Sequence, residues 1–214
     1  MKKILTLLTA TIGWFTLTSG DDFCGLKNTT FQDEESLTFK IYYSALGVYV
    51  DAGTAVFSVN QETLNNKACY HIVGTGTSNS SYDWIFKVRD RYESYIDTAN
   101  LQPMKFVRNV DEGGYKIYEN ITFNQQTNSA ITTKGVYKVP NCVQDVLSAI
   151  YYARNIDFSK YKVGDKIPFQ MFLDNEVHNL YIKYDGKETV KTKYGKFKAI
   201  KFKPLLVKGN VFSG

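Results

Sequence analysis

The stretch that decides the fold is Pro103-Met-Lys-Phe-Val-Arg-Asn-Val-Asp-Glu-Gly-Gly-Tyr-Lys-Ile-Tyr-Glu-Asn-Ile-Thr-Phe123. Apolar and polar residues alternate on both sides of Gly113–Gly114, the period of two that marks a half-buried strand. Two adjacent glycines between such runs form a tight hairpin loop, because both tolerate positive φ. Setting Glu112 opposite Tyr115 fixes the register. Val110 then faces Ile117, Arg108 faces Glu119, Phe106 faces Ile121 and Met104 faces Phe123. That face is apolar except for one directly matched ion pair.

Similar runs extend in both directions. Leu37, Phe39, Ile41 and Tyr43 share a face, as do Ala55, Phe57 and Val59, and then Tyr70, Ile72 and Gly74. Further on come Ile167–Phe169–Met171, Leu180–Ile182–Tyr184 and Phe197–Ala199. Turn residues punctuate the runs at Gly53, Asn65–Asn66, Gly164–Asp165, Asp174–Asn175, Asp185–Gly186 and Tyr194–Gly195. The 16 Tyr and 14 Phe suit pleated surfaces. The expected fold is mainly β: a curved antiparallel sheet, an open or partial barrel, with one amphipathic helix around 143–155. In that helix Val143, Val146, Leu147, Ile150 and Tyr151 fall at helical spacing. Asn141 is expected to cap it, Asp145 to suit its positive end, and Tyr152 to point away from the buried face.

The strand before the hairpin presents Val88, Asp90, Tyr92, Ser94 and Ile96 on its more apolar face. A turn through Asp97 to Pro103 brings Asp90 and Tyr92 toward Arg108, so Asp90, Arg108 and Glu119 are expected to meet on the inward face. An ionised group in a core must be paired, or it costs several kcal/mol. The plainest reading is a structural ion pair that sets sheet register. The functional reading makes the inward face a cavity in which Arg108 meets the polar head of an amphiphile. Asp90 and Glu119 as an acid–base pair are the weakest reading. Trp84, in Tyr82-Asp-Trp-Ile-Phe86, is read first as a core anchor and second as the rim of a ligand mouth. Tyr151 completes the candidate ligand-binding set.

Catalytic motifs do not emerge. There is no G-x-S-x-G, H-E-x-x-H, P-loop or G-x-G-x-x-G. Cys69 and His71 share a strand face, but a structural zinc takes four ligands, and neither a metal nor a cofactor is expected.

The first twenty residues read as a secretory signal. Lys2 and Lys3 precede an apolar run from Ile4 to Leu17, and small residues Thr18 and Gly20 follow. The alternative, a retained anchor, fits less well, because the run is shorter than the roughly 20 apolar residues of a spanning helix. Residues 21–214 then form one β-rich domain with no stable membrane span. Net charge is +5, or +3 without Lys2 and Lys3, and the charges look scattered along the chain, which argues against nucleic acid. Asp21, Asp22 and Phe23 before Cys24 do not suit a lipidation signal. Export permits a disulfide among Cys24, Cys69 and Cys142. Three pairings exist. Cys24 with Cys142 is favoured, because Cys69 lies in a strand-like run.

Three segments carry a family resemblance: Asp83-Trp-Ile-Phe-Lys-Val-Arg-Asp-Arg-Tyr-Glu-Ser-Tyr-Ile-Asp97, Pro103 through Glu112-Gly-Gly-Tyr115, and Asp145-Val-Leu-Ser-Ala-Ile-Tyr-Tyr-Ala-Arg154. Together they resemble the bacterial envelope family known as domain of unknown function 3108, in its Bacteroidetes-type members. The resemblance implies a β-rich protein of the Gram-negative periplasm and no assigned activity. By fold analogy it implies a shape similar to the half-barrels of lipoprotein carriers. It also implies strands beyond Val211-Phe-Ser-Gly214, and so a domain truncated at its C-terminus. The functional expectation is a non-catalytic binding or carrier protein for an apolar or amphiphilic, lipid-like ligand. The alternative is an envelope module that holds a protein partner, and a hydrolase is third.

Overall fold

The computed structural model describes residues 24–45 and 47–206. The expected signal segment and the C-terminal residues after Leu206 lie outside the described residues. Strands β1 (Ser36–Ala45), β2 (Val48–Leu64), β3 (Lys67–Ser78), β4 (Arg89–Asp97), β5 (Pro103–Glu112), β6 (Tyr115–Asn124), β7 (Ser129–Thr132) and β8 (Gly135–Lys138) follow in chain order. They pair antiparallel, each with the next, into one eight-stranded sheet. Among the described residues the sheet does not close, and β1 and β8 are its two edges. Helix α1 (Val146–Arg154) follows, and then β9 (Lys166–Leu173), β10 (Glu176–Thr192) and β11 (Gly195–Leu206) form a second sheet in the order β11-β10-β9.

The β5–β6 hairpin has the register of its alternation, with Glu112 opposite Tyr115, Val110 opposite Ile117, Arg108 opposite Glu119 and Phe106 opposite Ile121. Both loop glycines have positive φ, at 58° and 92°. Such a turn matches the twist of the strands it joins, so the hairpin needs no bulge at its tip.

Helix α1 starts later than its apolar spacing predicts. Asp145, not Asn141, is the N-cap, accepting from the N–H groups of Leu147 and Ser148 at 2.8 Å each. In return the Asp145 N–H donates to the Ser148 hydroxyl at 2.8 Å, the other half of a capping box. Val143 and Gln144 precede the helix, because Gln144 bridges Met171 of β9 instead.

The helix is buried on more than one side. Leu147 faces the large sheet, where a Cβ on Gly74 would lie 3.3 Å from it, and Tyr151 packs edge-on to Phe31 of the segment before β1. Tyr152, expected to point away, is fully buried and accepts a hydrogen bond from the Leu26 N–H at 3.3 Å. Ile150 is the apolar helix residue that stays exposed. One hydrophobic cluster joins the large sheet, the helix and β9–β10 through Ile72, Phe106, Leu147, Tyr152, Phe172 and Ile182. Its close packing leaves the inner face filled near the helix.

Candidate functional site

Cross-strand pairing lays the inner face out in rows. The lowest, Val59–Ile72–Ser94–Phe106–Ile121, is buried throughout beneath the helix. The next is Leu37–Phe57–Gly74–Tyr92–Arg108–Glu119. Two residues further along come Phe39–Ala55–Gly76–Asp90, and then Ile41–Gly53–Ser78. Cover fades along this series: Phe39 is 49% exposed and Ile41 44%. The floor there is made of Gly53, Ala55 and Gly76, and a Cβ on Gly76 would meet only Asp90, at 3.7 Å. The result is a shallow apolar groove, with β1 side chains for one wall.

At the groove's open end stand the loop between β3 and β4 and the β5–β6 turn. Trp84 is 83% exposed there, with Ile85 and Phe86 beside it also exposed. Trp84 is therefore not the core anchor that its aromatic setting suggests; no layer of the fold covers this loop among the described residues. Its indole N–H donates to the Ser81 carbonyl at 3.1 Å. The Phe86 ring lies over Gly113, where a Cβ would sit 2.4 Å from it.

The charged residues divide into two groups rather than one. Arg108, 7% exposed, places Nη2 2.9 Å from Glu119 Oε2 and also pairs with Asp174. Asp174 arrives from the β9–β10 turn, so this triad ties the second sheet to the first. Burial pushes the Glu119 carboxyl up, and the guanidinium opposes that shift. Arg108 Nε remains without a hydrogen-bond partner. Tyr92 lies opposite Arg108 and its phenol is pushed up by burial. A cavity of about 290 Å³ lies beside the triad, lined by Tyr118, Glu119, Thr132, Lys134 and Asp174 among others.

Asp90 sits one row away and does not join them. It accepts from the Asp111 N–H at 3.2 Å, and the Glu112 carboxyl is its neighbour. Burial, and then that neighbour, push Asp90 up to about 6. The row spacing explains the separation: Tyr92, not Asp90, is the residue opposite Arg108. Tyr151 is a core residue, 1% exposed, beneath the Arg154 guanidinium at 4.9 Å. Cys24 and Cys142 form a disulfide with Cα atoms 5.4 Å apart, and Cys69 is a buried free thiol. On the outer face His71 lies between Glu62 at 2.9 Å and Glu93 at 2.8 Å, stacked on Tyr95. Among the described residues no group of three or more His, Cys, Asp and Glu is arranged to hold a metal ion.

These features define a class: an unclosed antiparallel sheet filled at one end by a helix and a second sheet, with an apolar groove at the other. The chain belongs to the family described as protein of unknown function DUF3108, whose family model matches residues 38–214. No curated protein and no solved structure matches it significantly.

Proposed function

We propose that this protein is a non-catalytic binding protein of the bacterial envelope that holds an apolar or amphiphilic ligand in the groove of its large sheet. The observation that carries the reading is the exposed, inward-facing run of Leu37, Phe39 and Ile41 along β1, beside a floor of Gly53, Ala55 and Gly76. Water-exposed apolar side chains on a face otherwise given to core are where a ligand gains most from burial. Trp84, Ile85 and Phe86 form the mouth. Asp90 and Glu112 at the groove's inner side offer a polar contact to a head group. Arg108 does not, because it is buried and its Nη2 is already paired with Glu119 and Asp174. Export is part of the proposal. It rests on Lys2 and Lys3 before the apolar run, and on a disulfide that an oxidising compartment would maintain.

The test is organic extraction of protein taken from its own cells without detergent, with mass spectrometry of what co-purifies. One lipid-like class near one per chain is expected. Gly76→Leu, which fills the floor where space is open, should abolish it while leaving the fold intact by circular dichroism. An empty wild-type protein would overturn the reading.

A second reading, a module that holds a protein partner, draws on a different observation. Among the described residues β1 is a ten-residue edge strand paired only with β2. An open edge of that length can accept a strand from another chain. Cross-linking at β1 would then trap a partner of defined size.

A further inference from the structure

Although the charges look scattered along the whole chain, one stretch of sequence is strongly basic, and it forms a projecting element. Between Lys183 and Lys203 the chain places eight of its 26 basic side chains and only two of its 21 acidic ones, Asp185 and Glu188. That excess of six exceeds the whole chain's +5, so the remainder is at −1. β9 pairs with β10 only from Glu176 to Lys183, while β10 and β11 continue together to Thr192 and Gly195. The extension is a two-stranded ribbon with no third strand beneath it among the described residues, an arrangement that is marginal in water by itself.

Register sorts its side chains. Lys187 lies opposite Ile200, Thr189 opposite Lys198 and Lys191 opposite Lys196, so four lysines share one face. Val190 opposite Phe197 occupies the other face, and Phe197 is 51% exposed. Tyr194 stands at the tip, 78% exposed, with Lys193 Nζ 4.9 Å from its ring centroid. Lys203 and Lys183 are partnered by Asp185, and Lys201 by Glu188. Lys187, Lys191, Lys193, Lys196 and Lys198 form no ion pair among the described residues.

We propose that this ribbon docks the protein, tip first, on an anionic phospholipid surface. The five unpaired ammonium groups complement lipid phosphates, and Tyr194, Phe197 and Val190 enter the interfacial layer, where aromatic rings and lysines reside together. A nucleic acid would use the lysine face and leave Val190 and Phe197 in water. An acidic protein would need no aromatic tip. The inference is independent of the groove, since the ribbon's residues take no part in it.

Flotation of the full chain, as the producing cell processes it, with phosphatidylglycerol–phosphatidylethanolamine vesicles tests the proposal. Binding is expected to fall with salt and to be weak on phosphatidylcholine. Each lysine near an anionic surface strengthens binding about fivefold. Reversing Lys187, Lys191, Lys196 and Lys198 to Glu should therefore weaken binding by on the order of a hundredfold or more. Reversing four exposed lysines elsewhere, Lys27, Lys67, Lys138 and Lys162, changes net charge equally and should retain most of it. Phe197→Ser with Tyr194→Ser should weaken binding with all lysines present. Circular dichroism verifies that each variant is folded, and the Lys→Gln set should fall between wild type and reversal. Equal loss in the two reversal sets, equal binding to phosphatidylcholine, or tighter binding to an oligonucleotide than to the vesicles would each overturn it.

Discussion

Asp145 is the side chain on which the helix and the large sheet both depend. It is fully buried and accepts three hydrogen bonds, from Leu147 N–H, Ser148 N–H and, at 2.6 Å, the Ser94 hydroxyl of β4. Three donors do not replace water around a charge, so burial pushes its carboxyl up to about 6 against an ordinary 3.8. A carboxyl raised by folding binds its proton more tightly in the native state. Its contribution is thus complete below about pH 4 and is lost as pH rises through about 6. For a carboxyl moved that far, the contribution is about 3 kcal/mol. Asp90, raised in the same direction, adds to the trend, while Glu93, lowered chiefly by Arg91, opposes it. Asp145→Asn isolates one residue: its amide oxygen still caps the helix, and its NH2 can donate to Ser94. Urea unfolding at about pH 4.5 and again at about pH 7.5 should show the wild type ahead of the variant at the lower pH. That lead should shrink by about 2 kcal/mol at the higher pH. A lead that does not change with pH would mean that Asp145 is ionised throughout.

Between elements, the Arg108 triad binds β5 and β6 to the β9–β10 turn. Removing the cation leaves Glu119 buried without a counter-charge, a loss of about 3–5 kcal/mol for pairs of this kind. Arg108→Met should therefore destabilise by roughly 3 kcal/mol. Adding Glu119→Gln should restore part of that, and a thermal-melt double-mutant cycle measures the coupling. No restoration would mean that Asp174, more exposed, carries the tie. The hairpin half of this triad is legible in sequence, because Gly113–Gly114 and strict alternation leave one register open to Arg108 and Glu119. Asp174 is not, because it comes from a turn 66 residues away, and no local pattern encodes which turn reaches which strand. Asp90 falls a single row from where alternation and a guessed turn put it, beside Tyr92 but not Arg108. Trp84 reads as core because large aromatics usually are; its exposure depends on what lies above the β3–β4 loop, a property of the tertiary fold. The lysine excess between Lys183 and Lys203 is legible as a contiguous run, but its sorting is not: only pairing β10 with β11 collects Lys187, Lys191, Lys196 and Lys198 onto a single face.

Across the whole molecule, the segment before β1 acts as a strap over the end of the core. Leu26 N–H reaches the Tyr152 hydroxyl, Thr29 N–H donates to Asn155 at 2.7 Å, and Phe31 packs between Tyr70 and Tyr151. Glu35 then pairs with Arg154 at 2.6 Å, at the helix C-terminus, where a cation also suits the dipole. The Cys24–Cys142 disulfide anchors the strap's start to the segment leading into the helix, across a sequence separation of 118. A cross-link that long restricts the unfolded chain strongly, by about 5 kcal/mol on a chain-entropy account, with about 2–4 more typical. Against a total stability of about 5–15 kcal/mol for a domain, that is a large share. Cys24→Ala with Cys142→Ala should therefore lower the urea midpoint and raise the m-value, because the unfolded state expands once the link is gone. Dithiothreitol should reproduce both changes in the wild type and neither in the double variant. Cys69, buried with its thiol pushed up by burial, should resist modification until the protein unfolds. If reduction left the midpoint unchanged, the strap's contacts with Tyr152, Asn155 and Arg154 would be sufficient to close the core without the cross-link.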